Sequence, residues 1–334
     1  MTAAYDVAGI GNAIVDIISP ATDDFIVAQG LNKGGMKLVD EESAGALYDA
    51  MAPGLEASGG SAANSLAGLA SLGGRGAFMG KVASDQLGEV FAHDIRAMGV
   101  KFDTPFLDCG PATGKCLINV TPDGQRTMTT YLGAAALLSP PDVNPETVKA
   151  AEVVYLEGYL FDPGEARNAL LKASRIAREA GRKVALTLSD AFVVERWRDA
   201  LLAFLDEEVD LLFANEVELT ALFETGSDFD AALQALKSRV AMAAVTRGAQ
   251  GSVILHDGEV FSVPADPVDR VVDTTGAGDQ YAAGFLFGLA RRRPLPECGR
   301  LGSIAAAEVI SHYGPRPQVS LSELVARCGL SLSA

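Results

Sequence analysis

The segment from Asp273 to Phe285, DTTGAGDQYAAGF, places small residues and a carboxylate at the predicted start of a helix. It follows an apolar pair, and its aromatic and apolar residues recur four apart, as they would along one helix face. Gly276, Ala277 and Gly278 therefore lie where backbone N–H groups lack partners within the helix, with the helix dipole aligned behind them. Such an arrangement can stabilise the negative charge of a transferring phosphoryl group.

Asp279 lies in the first turn of this predicted helix. A carboxylate there can accept a hydrogen bond from a substrate hydroxyl and orient it towards a γ-phosphate, a role that needs the ionised form. The alternative is that Asp279 only complements the helix dipole. The glycine spacing and the preceding apolar pair favour the catalytic interpretation.

A second glycine-rich segment, SGGSAANSLAGLASLGG, spans residues 58–74. Gly59 and Gly60 would let a sugar ring approach the backbone closely. Asn64 offers a carbonyl and an amide group that can pair with vicinal hydroxyls. The alternative is a glycine-rich helix start with Asn64 facing solvent.

The composition excludes several classes of partner. The chain has 334 residues, 49% of them hydrophobic, and a net charge of −16, which disfavours binding to nucleic acids and anionic membranes. ATP can still bind if N–H donors and a divalent cation offset the charge. Four cysteines without a C-x-x-C spacing predict free thiols in the cytoplasm. The N-terminus lacks the basic leader of a signal peptide, and no apolar run reaches the length of a membrane span.

The middle and C-terminal parts alternate apolar strands with helices, which predicts an α/β fold with a mostly parallel central sheet covered by helices on both faces. Predicted strands lie at 152–157, 183–188, 210–214 and 241–246, with helices at 163–181, around 193–206 and up to about 239. The N-terminal half carries a predicted strand with an extension at 5–18, a short strand at 36–40 and a hairpin at 115–132.

These last strands lack helical partners, so we expect a small, separate β-sheet that acts as a lid over the active site. We predict one domain over residues 1–334, with a discontinuous lid at approximately 12–53 and 101–132. Whether the protein is a monomer or a homodimer is left open.

The two glycine-rich segments resemble the paired signatures of one enzyme family. DTTGAGD followed by Ala283-Gly284-Phe285 resembles the C-terminal signature of PfkB, or ribokinase-type, sugar and nucleoside kinases, and residues 58–74 resemble the N-terminal signature. The resemblance covers nearly the whole chain and implies a ribokinase-like fold and ATP-dependent phosphorylation of a hydroxyl. It implies that Asp279 is the catalytic base and that Gly276, Ala277 and Gly278 form the anion hole.

The resemblance also implies roles in binding ligands. Asp16 matches the family position that binds the same hydroxyls as Asn64. Asn215 and Glu218, in FANEVEL, resemble the N-x-x-E motif that organises Mg²⁺ near the phosphates, where few protein carboxylates are needed. The alternative for this pair is helix capping.

Further residues are implied to bind ATP, the phosphate donor. TRGAQGS resembles the family's T-x-G-x-x-G turn through Thr246, Gly248 and Gly251, and Thr275 is assigned to ATP with them. Arg126, after the hairpin turn, is predicted either to approach the phosphates or to lie exposed. A monovalent cation is left open as a further cofactor.

The predicted acceptor is the primary hydroxyl of a ribose-containing substrate, with adenosine, converted to AMP, preferred. Three segments resemble adenosine kinases: LSDAFV (188–193), FANEVEL (213–219) and residues 297–317. The resemblance of residues 297–317 implies a C-terminal helix followed by a strand. Asp190-Ala191 and Gln280-Tyr281 depart from that pattern. Apolar residues predicted to hold the base or line the lid are Met36, Leu38, Tyr159, Leu160, Leu117 and Ile118.

Three other functions are compatible with parts of this sequence. A sugar kinase acting on ribose or fructose is the first, and a non-catalytic sugar or nucleotide sensor is the second. The sensor is disfavoured because the candidate base, glycines and N-x-x-E pair are all present. An NAD-dependent dehydrogenase is disfavoured because GIGNAI has Ile14 where the dinucleotide motif needs its last glycine.

Overall fold

The computed structural model describes residues 3–162 and 164–332. The strands in this part of the chain are β1 (Tyr5–Ile10), β2 (Ile14–Pro20), β3 (Met36–Leu38), β4 (Leu55–Gly59), β5 (Gly76–Met79), β6 (Lys101–Phe102), β7 (Thr113–Val120), β8 (Arg126–Gly133), β9 (Ala151–Glu157), β10 (Lys183–Thr187), β11 (Leu211–Asn215), β12 (Met242–Thr246), β13 (Ser252–His256) and β14 (Glu259–Val263).

The α-helices of the described residues are α1 (Asp23–Ala28), α2 (Glu41–Ala50), α3 (Ser61–Ser71), α4 (Gln86–Ala97), α5 (Pro145–Lys149), α6 (Gly164–Glu179), α7 (Ala191–Glu208), α8 (Glu216–Leu222), α9 (Phe229–Leu236), α10 (Ala277–Ala290), α11 (Leu295–Val309) and α12 (Leu321–Arg327). Side-chain caps begin several of them, as when Asp190 accepts a hydrogen bond from the Phe192 N–H at 3.0 Å.

Within the described residues, nine strands form the large sheet, in the order β14-β13-β12-β11-β10-β9-β1-β5-β6. Among the described strands of this sheet, the β12–β13 and β13–β14 pairs are antiparallel and the other pairs are parallel, so the sheet is mostly parallel, as the sequence predicts. Continuous apolar strands such as β9 and β10 are buried because helices cover both faces. One core includes Phe78, Phe213 and Phe285, and the other includes Leu156, Phe161 and Phe204.

A second sheet of five strands, in the order β3-β8-β7-β2-β4, confirms the predicted smaller sheet. It includes β4 at Leu55–Gly59, beyond the predicted lid boundary at 53, whereas β6 pairs with β5 in the large sheet. The lid boundaries themselves stay a prediction. No helix of the described residues is long and apolar enough to cross a membrane.

The single strand predicted at 5–18 is two strands, β1 in the large sheet and β2 in the small one. The chain bends at residues 11–13, where the Gly11 N–H still donates to the Met79 carbonyl at 3.2 Å. A Cβ on Gly11 would lie 2.3 Å from a carboxylate oxygen of Glu157. The bend therefore needs glycine, and it brings the start of β2 to the edge of the large sheet.

Candidate active site

A cavity of about 570 Å³ is lined by the carboxyl edge of the large sheet, the start of α10 and the inner face of the small sheet. It brings together most of the residues singled out from the sequence, namely Asp16, Met36, Leu38, Gly60, Asn64, Tyr159, Asn215, Glu218, Thr275, Gly276, Ala277, Gly278 and Asp279. Gly59, Thr246, Gly248 and Gly251 are not among its lining residues.

The start of α10 has the geometry expected of an anion site. Gly276 caps the helix in the left-handed region, with φ of 73°, and a Cβ there would lie 2.6 Å from the Pro315 carbonyl oxygen. A Cβ on Gly278 would meet no atom within 4 Å, because this residue faces the cavity. Among the described hydrogen bonds, none uses the N–H of Gly276 or Gly278. These donors can therefore serve a ligand.

Asp279 is bound to the other glycine-rich segment. The Ser61 hydroxyl donates to its Oδ1 at 2.6 Å, and the Asn64 amide donates to its Oδ2 at 3.3 Å. Burial raises the pKa of Asp279 to about 6, while these two hydrogen bonds and the charge of Arg316 oppose the rise. Ser61, Asn64 and Arg316 therefore favour the ionised form of Asp279, which is the form that can accept a proton.

Asp16, on β2 of the small sheet, lines the cavity and is buried from solvent. Gly59 explains how its carboxylate fits, because a Cβ on Gly59 would lie 2.3 Å from the Asp16 carboxyl carbon. Burial raises the pKa of Asp16 to about 7, against the opposing charge of Arg316. Within the described residues its carboxylate accepts no hydrogen bond, so both oxygens can bind a ligand.

Glu157 and Asn12 also line this cavity, and sequence reasoning missed both. Glu157 ends β9 and accepts hydrogen bonds from the Asn12 side chain at 2.8 Å and the Ala62 N–H at 3.0 Å. Burial raises the pKa of Glu157 to about 7. These contacts fix the β1–β2 bend and the start of α3 against the large sheet. The sequence does place a glutamate at the end of the apolar strand β9, and this feature could have marked Glu157 as a site residue.

Arg316 was missed as well, although its Nε donates to the Asn64 Oδ1 at 3.1 Å. The expected strand after α11 is wrong, because residues 310–320 form turns and bends. Its partner is distant in sequence, at Asn64, so no local pattern marks the contact. Arg316 binds the side-chain oxygen of Asn64 that was predicted to bind a hydroxyl. One amide N–H of Asn64 donates to Asp279, which leaves the other N–H for a substrate hydroxyl.

Asn215 and Glu218 form a capping box at the start of α8. The Asn215 side chain accepts from the Glu218 N–H at 2.8 Å and donates to the Glu218 Oε1 at 2.7 Å. Burial raises the pKa of Glu218 to about 7, and the nearby charges of Asp190 and Asp279 add to the rise. The capping interpretation is therefore correct, and it directs a carboxylate into the cavity.

The inner face of the small sheet is mostly apolar. The predicted lid residue Ile118 lines the cavity from β7. Further lining side chains of this sheet that were not predicted are Ile14 on β2, Cys116 on β7, and Met128, Thr130 and Leu132 on β8. Leu117 points to the opposite face and packs in the core, and Leu160 is likewise buried in the core under the large sheet. Strand alternation explains why Ile118 lines the cavity and Leu117 does not.

Arg126 connects the small sheet to the start of the α10 motif. Its guanidinium forms an ion pair with Asp273 and donates to the Thr274 hydroxyl at 3.1 Å. Asp273 also accepts from the Thr275 hydroxyl at 2.6 Å. Arg126 is therefore mostly buried and not an exposed hairpin residue, and its side chain lines one side of the cavity.

The T-x-G-x-x-G turn lies next to this site. Thr246 is the register partner of Asn215 across β11 and β12. Gly251 has φ of 83°, and a Cβ there would lie 2.1 Å from the Val263 carbonyl oxygen. The backbone of the turn thus requires its glycine whatever the turn binds.

Taken together, a helix start with unpaired N–H groups, a buried carboxylate beside it and a small sheet over the cavity define an α/β phosphotransferase. The sequence pattern of the pfkB family carbohydrate kinases matches residues 52–321. The chain belongs to the pfkB family of carbohydrate kinases. It is accordingly an enzyme that takes ATP as a substrate and phosphorylates a hydroxyl group.

Solved structures match almost the full chain. An adenosine kinase from Sinorhizobium meliloti is 52% identical, with a TM-score of 0.93 over 98% of this chain and 99% of that one. A probable sugar kinase protein from Rhizobium etli CFN 42 is 47% identical, with a TM-score of 0.94 over the same shares. The adenosine kinase of Saccharomyces cerevisiae is 29% identical over 92% of this chain and 95% of its own length.

The buried charge of Asp16 gives a testable effect on stability. Its raised pKa means that the folded state holds a proton more tightly than the unfolded state, so this carboxyl destabilises the ligand-free fold as pH rises through about 7. We expect Asp16→Asn to stabilise the ligand-free protein by roughly 1–3 kcal/mol at pH 8, with a smaller gain at pH 5. Urea unfolding at both pH values measures this. An Asn variant less stable than the wild type at pH 8 would contradict it.

Proposed function

We propose that this enzyme phosphorylates adenosine on its 5′-hydroxyl, with ATP as donor and AMP as product. The observation that carries the proposal is one cavity in which Asp279 and the α10 start face Asp16 and the apolar inner surface of the small sheet. A nucleoside needs all three features: a base for its primary hydroxyl, a partner for its ribose diol and apolar walls for its nucleobase.

The reacting end of the substrate is assigned to the start of α10. The 5′-hydroxyl donates a hydrogen bond to Asp279, which orients the oxygen and accepts its proton as the new P–O bond forms and the bond to the leaving ADP breaks. The N–H groups of Gly276, Ala277 and Gly278 stabilise charge on the transferred phosphoryl group. Here Ala277 contributes least, because its N–H already makes a long turn contact of 3.3 Å to the Thr274 carbonyl.

The ribose end is assigned to Asp16 and Asn64. Asp16 offers both carboxylate oxygens to the 2′- and 3′-hydroxyls, and Asn64 adds an amide N–H. Gly59 makes room for the Asp16 carboxylate, and Gly60, with φ of 95°, begins the turn into α3. The buried carboxylate of Asp16 gains most from such a ligand, because two hydroxyl donors stabilise its ionised form.

The nucleobase is assigned to the apolar walls of the small sheet and to Tyr159. Met36, Leu38, Ile118 and Met128 line this part of the cavity, and Tyr159 packs against Phe192 with ring centroids 6.1 Å apart. An aromatic base gains from such walls, whereas a free sugar does not. The likeness to the Sinorhizobium meliloti adenosine kinase supports this assignment. The likeness to the Rhizobium etli probable sugar kinase supports the alternative, a ribose or fructose kinase.

A substrate panel tests the choice of acceptor. We expect adenosine to be phosphorylated with a higher kcat/KM than ribose or fructose, because only the nucleoside fills the apolar part of the cavity. A coupled ADP-release assay with adenosine, inosine, guanosine, ribose and fructose measures it. Faster turnover of either sugar than of every nucleoside would overturn the adenosine assignment and leave the kinase assignment intact.

Replacement of Asp279 tests the base. Asp279→Asn should lower kcat by about two to four orders of magnitude, the range of a lost general base. ATP affinity should change little because the carboxylate faces the acceptor. Asp49→Asn, on the exposed face of α2, is the matched control. An Asp279→Asn enzyme with near-normal kcat would exclude Asp279 as the base.

Asn215, Thr246, Gly248, Gly251 and Thr275 are assigned to the ATP side, and Glu218 to Mg²⁺. Within the described residues no group of three or more His, Cys, Asp or Glu side chains could hold a metal ion unaided. Glu218 nevertheless fits a shared ion, because its buried carboxylate lines the cavity with Asp190 and Asp279 and a cation would relieve their repulsion. Phosphate oxygens and water would complete the coordination, and the ion would neutralise triphosphate charge. A monovalent cation is left open.

Replacement of Glu218 tests the metal assignment. The reaction should require Mg²⁺ or Mn²⁺, and Glu218→Gln should raise the Mg²⁺ concentration that gives half the maximal rate. Glu216→Gln, in the same helix turn but paired with Arg247 at 2.9 Å, is the control and should respond as the wild type does. Titration of Mg²⁺ at saturating ATP measures both. Activity in excess chelator, or equal responses of the two variants, would contradict the assignment.

The remaining expectations concern the setting of the enzyme. The net charge of −16 supports small-molecule substrates and argues against nucleic acid or membrane partners. The four cysteines are free thiols, which supports a cytoplasmic location.

A further inference from the structure

Asn64 is held from two directions by residues of the C-terminal part of the chain. Gln280, fully buried in α10, donates from its Nε2 to the Asn64 backbone carbonyl at 2.9 Å and to the Pro315 carbonyl at 3.0 Å. Arg316, which follows Pro315 in the chain, donates from its Nε to the Asn64 side-chain Oδ1 at 3.1 Å. We call Gln280 and Arg316 the Asn64 clamp. Gln280 is one of the residues at which this sequence departs from the adenosine kinase pattern.

The clamp fixes which way the Asn64 amide faces. Because a guanidinium can only donate, it must meet the carbonyl oxygen of Asn64 and turn the NH₂ group the other way. That NH₂ group donates to the Asp279 Oδ2 at 3.3 Å. An amide nitrogen carries two N–H groups, so Asn64 can bind Asp279 and still donate to a substrate hydroxyl.

Arg316 also brings a positive charge to a site rich in buried carboxylates. Its side chain is 13% exposed, and its Nη2 has no hydrogen-bond partner among the described residues. Its charge acts on both Asp16 and Asp279. The two carboxylates also interact with each other, and they face other charged or titratable groups. These groups are Arg126 and Cys116 on the small sheet, and Glu157, Glu218, Tyr155 and Tyr159 in or beside the large sheet.

The outer partners of Arg316 hold the guanidinium in place. Its Nη1 donates to the Ser58 hydroxyl and to the Asp94 Oδ2, the latter at 3.2 Å. Asp94 in turn accepts from the Ser58 N–H at 2.9 Å. The arginine therefore bridges β4, α4 and α3, and its position is set by three elements rather than by its own loop.

We propose that Arg316 is a positioning residue for phosphoryl transfer: it orients Asn64 towards the acceptor, and its positive charge favours the ionised forms of the Asp16 and Asp279 carboxylates. The proposal rests on the proposed role of Asp279 as base. The proposal has two parts that can be tested separately. Orienting Asn64 requires the several N–H donors of the guanidinium, whereas favouring ionised carboxylates requires only its positive charge.

The test measures kcat/KM for the preferred acceptor against pH, at saturating Mg²⁺–ATP, in Arg316→Met, Arg316→Lys and the control Arg300→Met. Arg300 is exposed on α11, so its replacement removes the same charge far from the site's hydrogen bonds. The pH profile of kcat/KM reports groups of the unliganded enzyme. Loss of a nearby opposite charge raises a carboxyl pKa, so the acid limb should move to higher pH.

We expect the acid limb of Arg316→Met to move up by about one pH unit, so that the loss of kcat/KM is about 10-fold greater at pH 6 than at pH 8.5. Arg316→Lys should restore the acid limb but keep the acceptor KM raised several-fold, because one ammonium cannot reproduce the guanidinium contacts. Arg300→Met should match the wild type.

If Arg316 only stabilises the fold, the variants should show a different dependence of kcat/KM on pH. Arg316→Met would then lose the same factor at every pH, or nothing, and either outcome overturns the ionisation part. Arg316→Lys with a wild-type KM overturns the orientation part, and this variant still decides that part if Arg316→Met does not fold. Near-normal activity of Asp279→Asn would instead reject the underlying base assignment, which keeps the two failures distinct.

Discussion

The site depends on keeping carboxylates ionised where water has been largely removed. Asp16, Glu157, Glu218 and Asp279 are all buried around one cavity, and burial raises the pKa of each towards neutrality. A base that held its proton at pH 7 could not accept one from a substrate hydroxyl. Much of the surrounding structure supplies donors or positive charge to these four groups.

Each carboxylate is stabilised in a different way, and the difference matches what it can do. Glu157 accepts from backbone and amide N–H groups on both oxygens, which leaves it little capacity for a ligand and suits it to a structural role. Glu218 is held by its capping box yet still faces the cavity. Asp279 has two polar partners, and Asp16 has none within the described residues, so these two are the groups that a substrate can engage.

The sequence predicts the elements and the motifs well because both are local. Apolar strands followed by helices predict the large sheet, and the glycines at 276 and 278 predict the start of α10. The split of residues 5–18 between two sheets could not be predicted, since it depends on Glu157 and Met79, far along the chain. Strand alternation would have separated Ile118 from Leu117, but not Leu160 from Tyr159, because a 3₁₀ turn at Gly158–Phe161 sets their directions. The contact between Arg316 and Asn64 has no local signal at all.

The small sheet meets the large one through charge as well as apolar contact. Arg126 lies only 15% exposed beside the α10 motif, where a cation without a partner would be costly. Asp273 supplies that partner, and its other oxygen accepts from the Gly314 N–H at 3.0 Å, two residues before Arg316. The Asp273 carboxylate thus joins the small sheet, the Thr275 turn and the Arg316 loop. These three parts of the structure therefore share one anionic partner, and the ion pair with Asp273 holds Arg126 at the edge of the cavity.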